Sequence, residues 1–150
     1  MPQNLFTEAE EQQLVEAIQK AEEQTSGEIK LHIEKTCKKE DVLERAVEVF
    51  GLLHMHQTLQ RNGVLFYVAY ESHKFAVIGD EGINDVVPEN FWDNVKETVL
   101  SHFKEGKYAE GLSLGILMAG DQLKNYFPYD DKGDLNELPD DISYGNPDPK

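Results

Sequence analysis

The chain has 150 residues, 39% of them hydrophobic, a length at which one core buries about two-thirds of the unfolded surface, so a single domain is expected. Its 29 acidic against 14 basic side chains leave a net charge of -15, which argues against nucleic acid and anionic membranes as partners, because both are held by Lys and Arg. The single cysteine, Cys37, excludes an intramolecular disulfide; no apolar run reaches the ~20 residues of a bilayer span, and the first residues carry no basic-then-apolar leader, so a cytoplasmic chain without membrane insertion is expected.

Thr7 and Glu10 carry the capping-box pattern of a first helix, and Leu14, Ile18 and Ala21 recur at helical spacing until Ser26 and Gly27. In GEIKLHIE, Ile29, Leu31 and Ile33 alternate with Lys30, His32 and Glu34, the period of a strand with one solvated face, as at a sheet edge. From about Asp41, the residues Leu43, Ala46, Val47, Phe50 and Leu53 make the apolar stripe of a second helix. Asn62 and Gly63 mark a turn, and Val64 to Tyr70 is apolar without alternation, which predicts a central strand covered on both faces. KFAVIG then follows a short connection as its antiparallel hairpin partner.

Gly79 to Trp92 reads as an acid-rich loop or short helical turn. Pro88 suits the first turn of a helix carrying Trp92, Val95, Val99 and Phe103, which Gly106 ends. A last helix runs from Tyr108 to about Tyr126 with Leu112, Ile116, Ala119 and Leu123 on one face, and its Gly111 and Gly115 predict close helix-to-sheet packing. From Pro128 onward, seven acids, two lysines and four prolines in 23 residues show no helix or strand pattern. Residues 1–127 are thus expected to form the domain and 128–150 an acidic tail, flexible or docked in part through Leu135, Leu138 and Ile142. The element order implies a single-domain αβα sandwich of the α/β class, a small mixed sheet with helices on both faces.

Asp80, Glu81, Asp85 and Glu89 place four carboxylates in ten residues just past the hairpin, where glycines allow tight turns. Ca2+ takes roughly six to eight oxygen ligands, and such a loop can offer carboxylates and carbonyls together. The competing reading is a solvated loop whose acids lie near a helix N-terminus, where the helix dipole favours them; no EF-hand spacing decides between the two. In the tail, Asp130, Asp131, Asp134, Glu137, Asp140 and Asp141 read first as a solvated acidic segment. His54 and His56 do not share a helical face and no HExxH accompanies them, while Cys37 lies among lysines as an ordinary thiol. GxGxxG and GxxxxGK[ST] do not occur, so nucleotide chemistry lacks a motif.

The stretch RNGVLFYVAYESHKFAVIGDEGINDVVPENFW, the following FKEGKYAEGLSLGI, and LKNYFP with NELPDDISYG together resemble the TPM-domain family, which includes thylakoid-lumen proteins of photosystem repair and many bacterial relatives. The likeness runs from about residue 9 to residue 145 and is most specific in RNGVL, in GDEGI with Trp92, and in GLSLGI. It implies an αβα sandwich and a site for Ca2+ or Mg2+ built from acidic loops, and some members are acid phosphatases. Carried over by position, Asp80, Glu81 and Asp85 become the first-rank ligands, with Glu89 and Asp93 behind them. Unlike many members, this chain shows no signal peptide or membrane anchor, and it has no obvious nucleophile for phosphate transfer. The expectation is a monomeric divalent-cation-binding module with an interaction or regulatory role towards a protein partner; the alternative is a metal-assisted phosphomonoesterase.

Overall fold

The computed structural model describes residues 5–129 and 142–145. Helix α1, Glu8–Glu22, opens on the expected capping box: Thr7 Oγ1 accepts from the Glu10 amide at 3.1 Å and the Glu10 carboxylate accepts from the Thr7 amide at 2.9 Å. Strand β1, Glu28–Glu34, is followed by helix α2, Val42–Leu52, whose first turn is capped by Asp41 accepting from the Leu43 amide at 3.0 Å. The hairpin β2, Gly63–Ala69, and β3, Lys74–Gly79, leads into the four-residue α3, Glu81–Asn84. Helices α4, Asp93–Lys104, and α5, Tyr108–Leu123, precede a short β4, Ser143–Tyr144.

The sheet order is β3-β2-β1-β4. β1 runs parallel to both β2 and β4, whereas β2 and β3 are antiparallel, so the sheet is mixed as expected. Ile29, Leu31, Ile33, Val64, Phe66 and Val68 face the larger core, which α1, α4 and α5 cover. On the other side, Leu65, Tyr67 and Ala69 pack beneath Ala46, Val49 and Phe50 of α2. This is an αβα sandwich. Among the described residues no helix is long and apolar enough to cross a membrane.

Five local expectations are corrected. β1 is not an edge and has no solvated face: it lies between β2 and β4 and is buried along its whole length. Alternation signals water on the polar side only when nothing covers that side, and here its polar residues are covered and find partners inside the fold. In α2 the buried set is Arg45, Ala46, Val49 and Phe50, while Leu43 and Val47 are 49% and 62% exposed. The stripe turns because Arg45 meets a carboxylate inside. Helix α4 begins at Asp93 rather than near Pro88, since the Phe91 amide closes a turn onto the Pro88 carbonyl at 3.1 Å and Gln122 Nε2 donates to the Phe91 carbonyl at 2.6 Å.

Gly111 and Gly115 serve a close approach of α5 to α4 more than to the sheet. A methyl group at 111 would lie 2.6 Å from His102 Cβ, and one at 115 would lie 2.5 Å from Val99 Cγ2. The fifth correction is β4, a strand in a segment where no pattern is visible. Its register pairs His32 with Ser143 and Ile33 with Tyr144, and the Gly145 amide donates to the Ile33 carbonyl at 2.8 Å. Two residues cannot display a period. Ile142 packs against the larger core as expected, whereas Leu135 and Leu138 lie outside the described residues.

Candidate functional site

The acidic turn is built where β3 runs out. Asp80 is extended and caps α3, its Oδ1 accepting from the Glu81 amide at 2.7 Å. Arg61, in the turn before β2, reaches the same carboxylate with a fork: Nε to Oδ2 at 2.8 Å and NH2 to Oδ1 at 3.0 Å. Its NH1 donates to Glu81 Oε1 at 2.9 Å. Arg61 holds φ at 51°, in the left-handed region, and its carbonyl accepts from the Gly82 amide at 2.9 Å. Hydrogen bonding with Asp80 raises the Arg61 pKa above its ordinary value.

The five carboxylates predicted as ligands therefore separate into two groups. Asp80 is buried and Glu81 is exposed, and they share Arg61. Asp85 ends α3, Glu89 lines a cleft of about 260 Å³ with Asn84, Val87, Pro88 and Trp92, and Asp93 opens α4, all three exposed. Among the described residues no three His, Cys, Asp or Glu side chains gather in one place fit to hold a metal ion. The donor set thus fits a cation in part: oxygens are abundant, but the best-ordered carboxylate is committed to an arginine. The acids of residues 130–141 lie outside the described residues.

A second polar cluster carries the stronger electrostatics. Arg45 of α2 donates to Glu34 of β1 through Nε at 3.1 Å and NH2 at 2.5 Å, and the Tyr67 hydroxyl donates to the same carboxylate at 2.5 Å. Burial alone would raise the Glu34 pKa, but the adjacent His32, the hydrogen bonds from Arg45 and Tyr67 and the charge of Arg45 outweigh it and bring it from 4.5 down to about 2. Burial and the bond to Glu34 push the Tyr67 hydroxyl pKa up. His32 Nε2 stands 3.6 Å from Glu34 Oε2, and its Nδ1 lies 2.6 Å from Ser143 Oγ, so β4 is tied into the same cluster.

A hydroxyl, an imidazole and a carboxylate in line invite a nucleophile reading. His32, however, is 1% exposed and stacks on Tyr67, an environment that keeps water and substrate away from it. The cluster instead joins three strands and α2. Sequence reasoning missed it because its members come from four separated segments; a lone Arg45 inside an otherwise apolar helix face was the available signal.

Among known proteins, a family model described as the TPM domain matches residues 1–122. The chain belongs to the TPM-domain family. The NMR structure of BA42 from the psychrophilic bacterium Bizionia argentinensis is 47% identical, with a TM-score of 0.87 over 93% of this chain and 95% of that one. The N-terminal domain of a P. gingivalis protein shares the fold at 18% identity, with a TM-score of 0.62 over 82% of this chain and 79% of that one. No curated protein matches. Seen as a TPM domain, two of the three most specific stretches of the sequence become one structural unit, because Arg61 of RNGVL clamps Asp80 and Glu81 of GDEGI.

Proposed function

We propose that this TPM domain binds a divalent cation, Ca2+ or Mg2+, on the acidic surface that runs from α3 to the start of α4, and that its role is interaction or regulation in the cytoplasm. Glu81, Asp85, Glu89 and Asp93 supply the exposed oxygens. Asp80, held by Arg61, anchors the turn and is not a ligand. The observation that supports this reading is the local charge: five carboxylates between positions 80 and 93, no Lys or Arg in that stretch, and one guanidinium already engaged. Exposed carboxylates completed by water hold Ca2+ weakly, so affinity in the millimolar range is expected.

Amide NMR shifts during a Ca2+ titration test it. Residues 81–93 should shift, Glu89→Gln should weaken the response, and Asp80→Asn should lower stability while leaving the affinity in place. Unmoved amides at millimolar ion would sink the reading. The alternative, metal-assisted phosphomonoester hydrolysis, is suggested by the family match, since some TPM-domain proteins are acid phosphatases. There a bound ion would polarise a phosphoryl oxygen and ready a water. Turnover of a chromogenic phosphate ester that requires metal and disappears with Glu89→Gln would select it over binding alone, and turnover surviving that change would exclude it.

A further inference from the structure

At the far end of the β2–β3 hairpin from the acidic turn lies a cleft of about 300 Å³ between the hairpin and the junction of α4 with α5. Leu100, Phe103 and Tyr108 form its apolar wall, with the Phe103 and Tyr108 rings 4.6 Å apart. Leu100 is 41% exposed, so apolar surface is open to solvent there. Its rim is basic: His73, Lys74 and Lys104 line it, and none of the nine lining residues is acidic, in a chain with 29 acids.

Those charges are not spent within the fold. Lys74 Nζ donates to the Glu40 carbonyl at 2.6 Å, a neutral partner that orients the ammonium without cancelling it. Among the described residues neither Lys74 nor Lys104 is within ion-pair distance of a carboxylate, although Lys35, Lys39, Arg45, Arg61, Lys107 and Lys124 all form such pairs with Asp or Glu. Helix α5 opens at Tyr108 with no side chain capping its first amides, so the positive end of its dipole lies at this cleft.

From this charge complementarity we infer that the cleft binds a small amphiphilic anion, an aromatic or branched body bearing one carboxylate, with the apolar part against Leu100, Phe103 and Tyr108 and the carboxylate between Lys74 and Lys104. The volume is at the lower end of ligand pockets, which fits a ligand of few atoms. The assignment is independent of the cation reading, since the two places are about 20 Å apart along the hairpin.

The test is an amide NMR titration of the full chain with 3-phenylpropionate and, in parallel, with its uncharged amide. The carboxylate should move the amides of His73, Lys74, Lys104 and Tyr108 at millimolar concentration, with the uncharged amide about tenfold weaker, as expected for losing a charge-assisted contact. Lys104→Gln should weaken the carboxylate several-fold and leave the neutral compound unaffected. Phenyl phosphate in a third arm ranks the head groups. Equal binding of charged and neutral probes would overturn the charge assignment, and silence of these amides towards all three would overturn the site. Shifts near Glu81 to Asp93 in response to Ca2+ report on the other reading and are not expected to change with the probe.

Discussion

Arg45→Met should cost about 3 to 5 kcal/mol of unfolding free energy at neutral pH, read from the midpoint of a urea titration, because it leaves the Glu34 carboxylate buried without its cation. Methionine retains most of the side-chain volume, so the loss is electrostatic rather than a cavity. A double variant, Arg45→Met with Glu34→Gln, should recover part of it, since no charge is then stranded. A single variant as stable as the parent would show that the pair is not what secures α2 over β1.

The same cluster sets an acid dependence. The folded-state pKa of Glu34, about 2, lies below its ordinary 4.5, so the native state binds the proton less readily than the unfolded chain does. The stabilisation is complete above pH 4.5 and is lost as the pH falls from there towards 2. The size of the gap corresponds to about 3 kcal/mol. Urea midpoints measured across that window should fall steeply for the parent chain and more gently for Arg45→Met, whose Glu34 titrates closer to, or above, its ordinary value. Parallel curves would refute the assignment.

Gly82→Ala is the second large effect. An added methyl would lie 2.2 Å from the Gln60 carbonyl oxygen and 2.6 Å from that of Arg61. Both are backbone atoms and cannot rotate aside, so α3 must move away from the turn that precedes β2. That movement breaks the bond from the Gly82 amide to the Arg61 carbonyl and opens the fork on Asp80. A loss of about 3 kcal/mol in thermal or urea unfolding is expected. Gly51 in α2 is the control: no atom lies within 4 Å of the position an added methyl would take, and Gly51→Ala should stabilise by up to about 1 kcal/mol through helix propensity. Similar outcomes at the two positions would contradict the packing argument.

Much of the fold could be read from neighbours in the chain. The Thr7 capping box, the unbroken apolar run of β2, the hairpin to β3 and the buried face of α5 are local patterns, and a few adjacent residues suffice to display them. The acidic residues of the turn were equally visible, because charge is a property of composition. Their arrangement was not. Whether Asp80 is a free ligand or an anchored cap depends on Arg61, which is nineteen positions earlier and meets it only when β2 and β3 pair.

Sequence by itself determined the α/β sandwich, the strand hairpin and the surplus of negative charge, all set by short-range periodicity and residue type. Tertiary structure alone decided that β1 is internal, that Arg45 turns inward to Glu34, that β4 completes the sheet and that Lys74 and Lys104 rim an apolar cleft. The reason is physical. Each of these depends on the energy of a polar or charged group relative to a distant partner, and that energy does not exist until the chain has closed the loop between them.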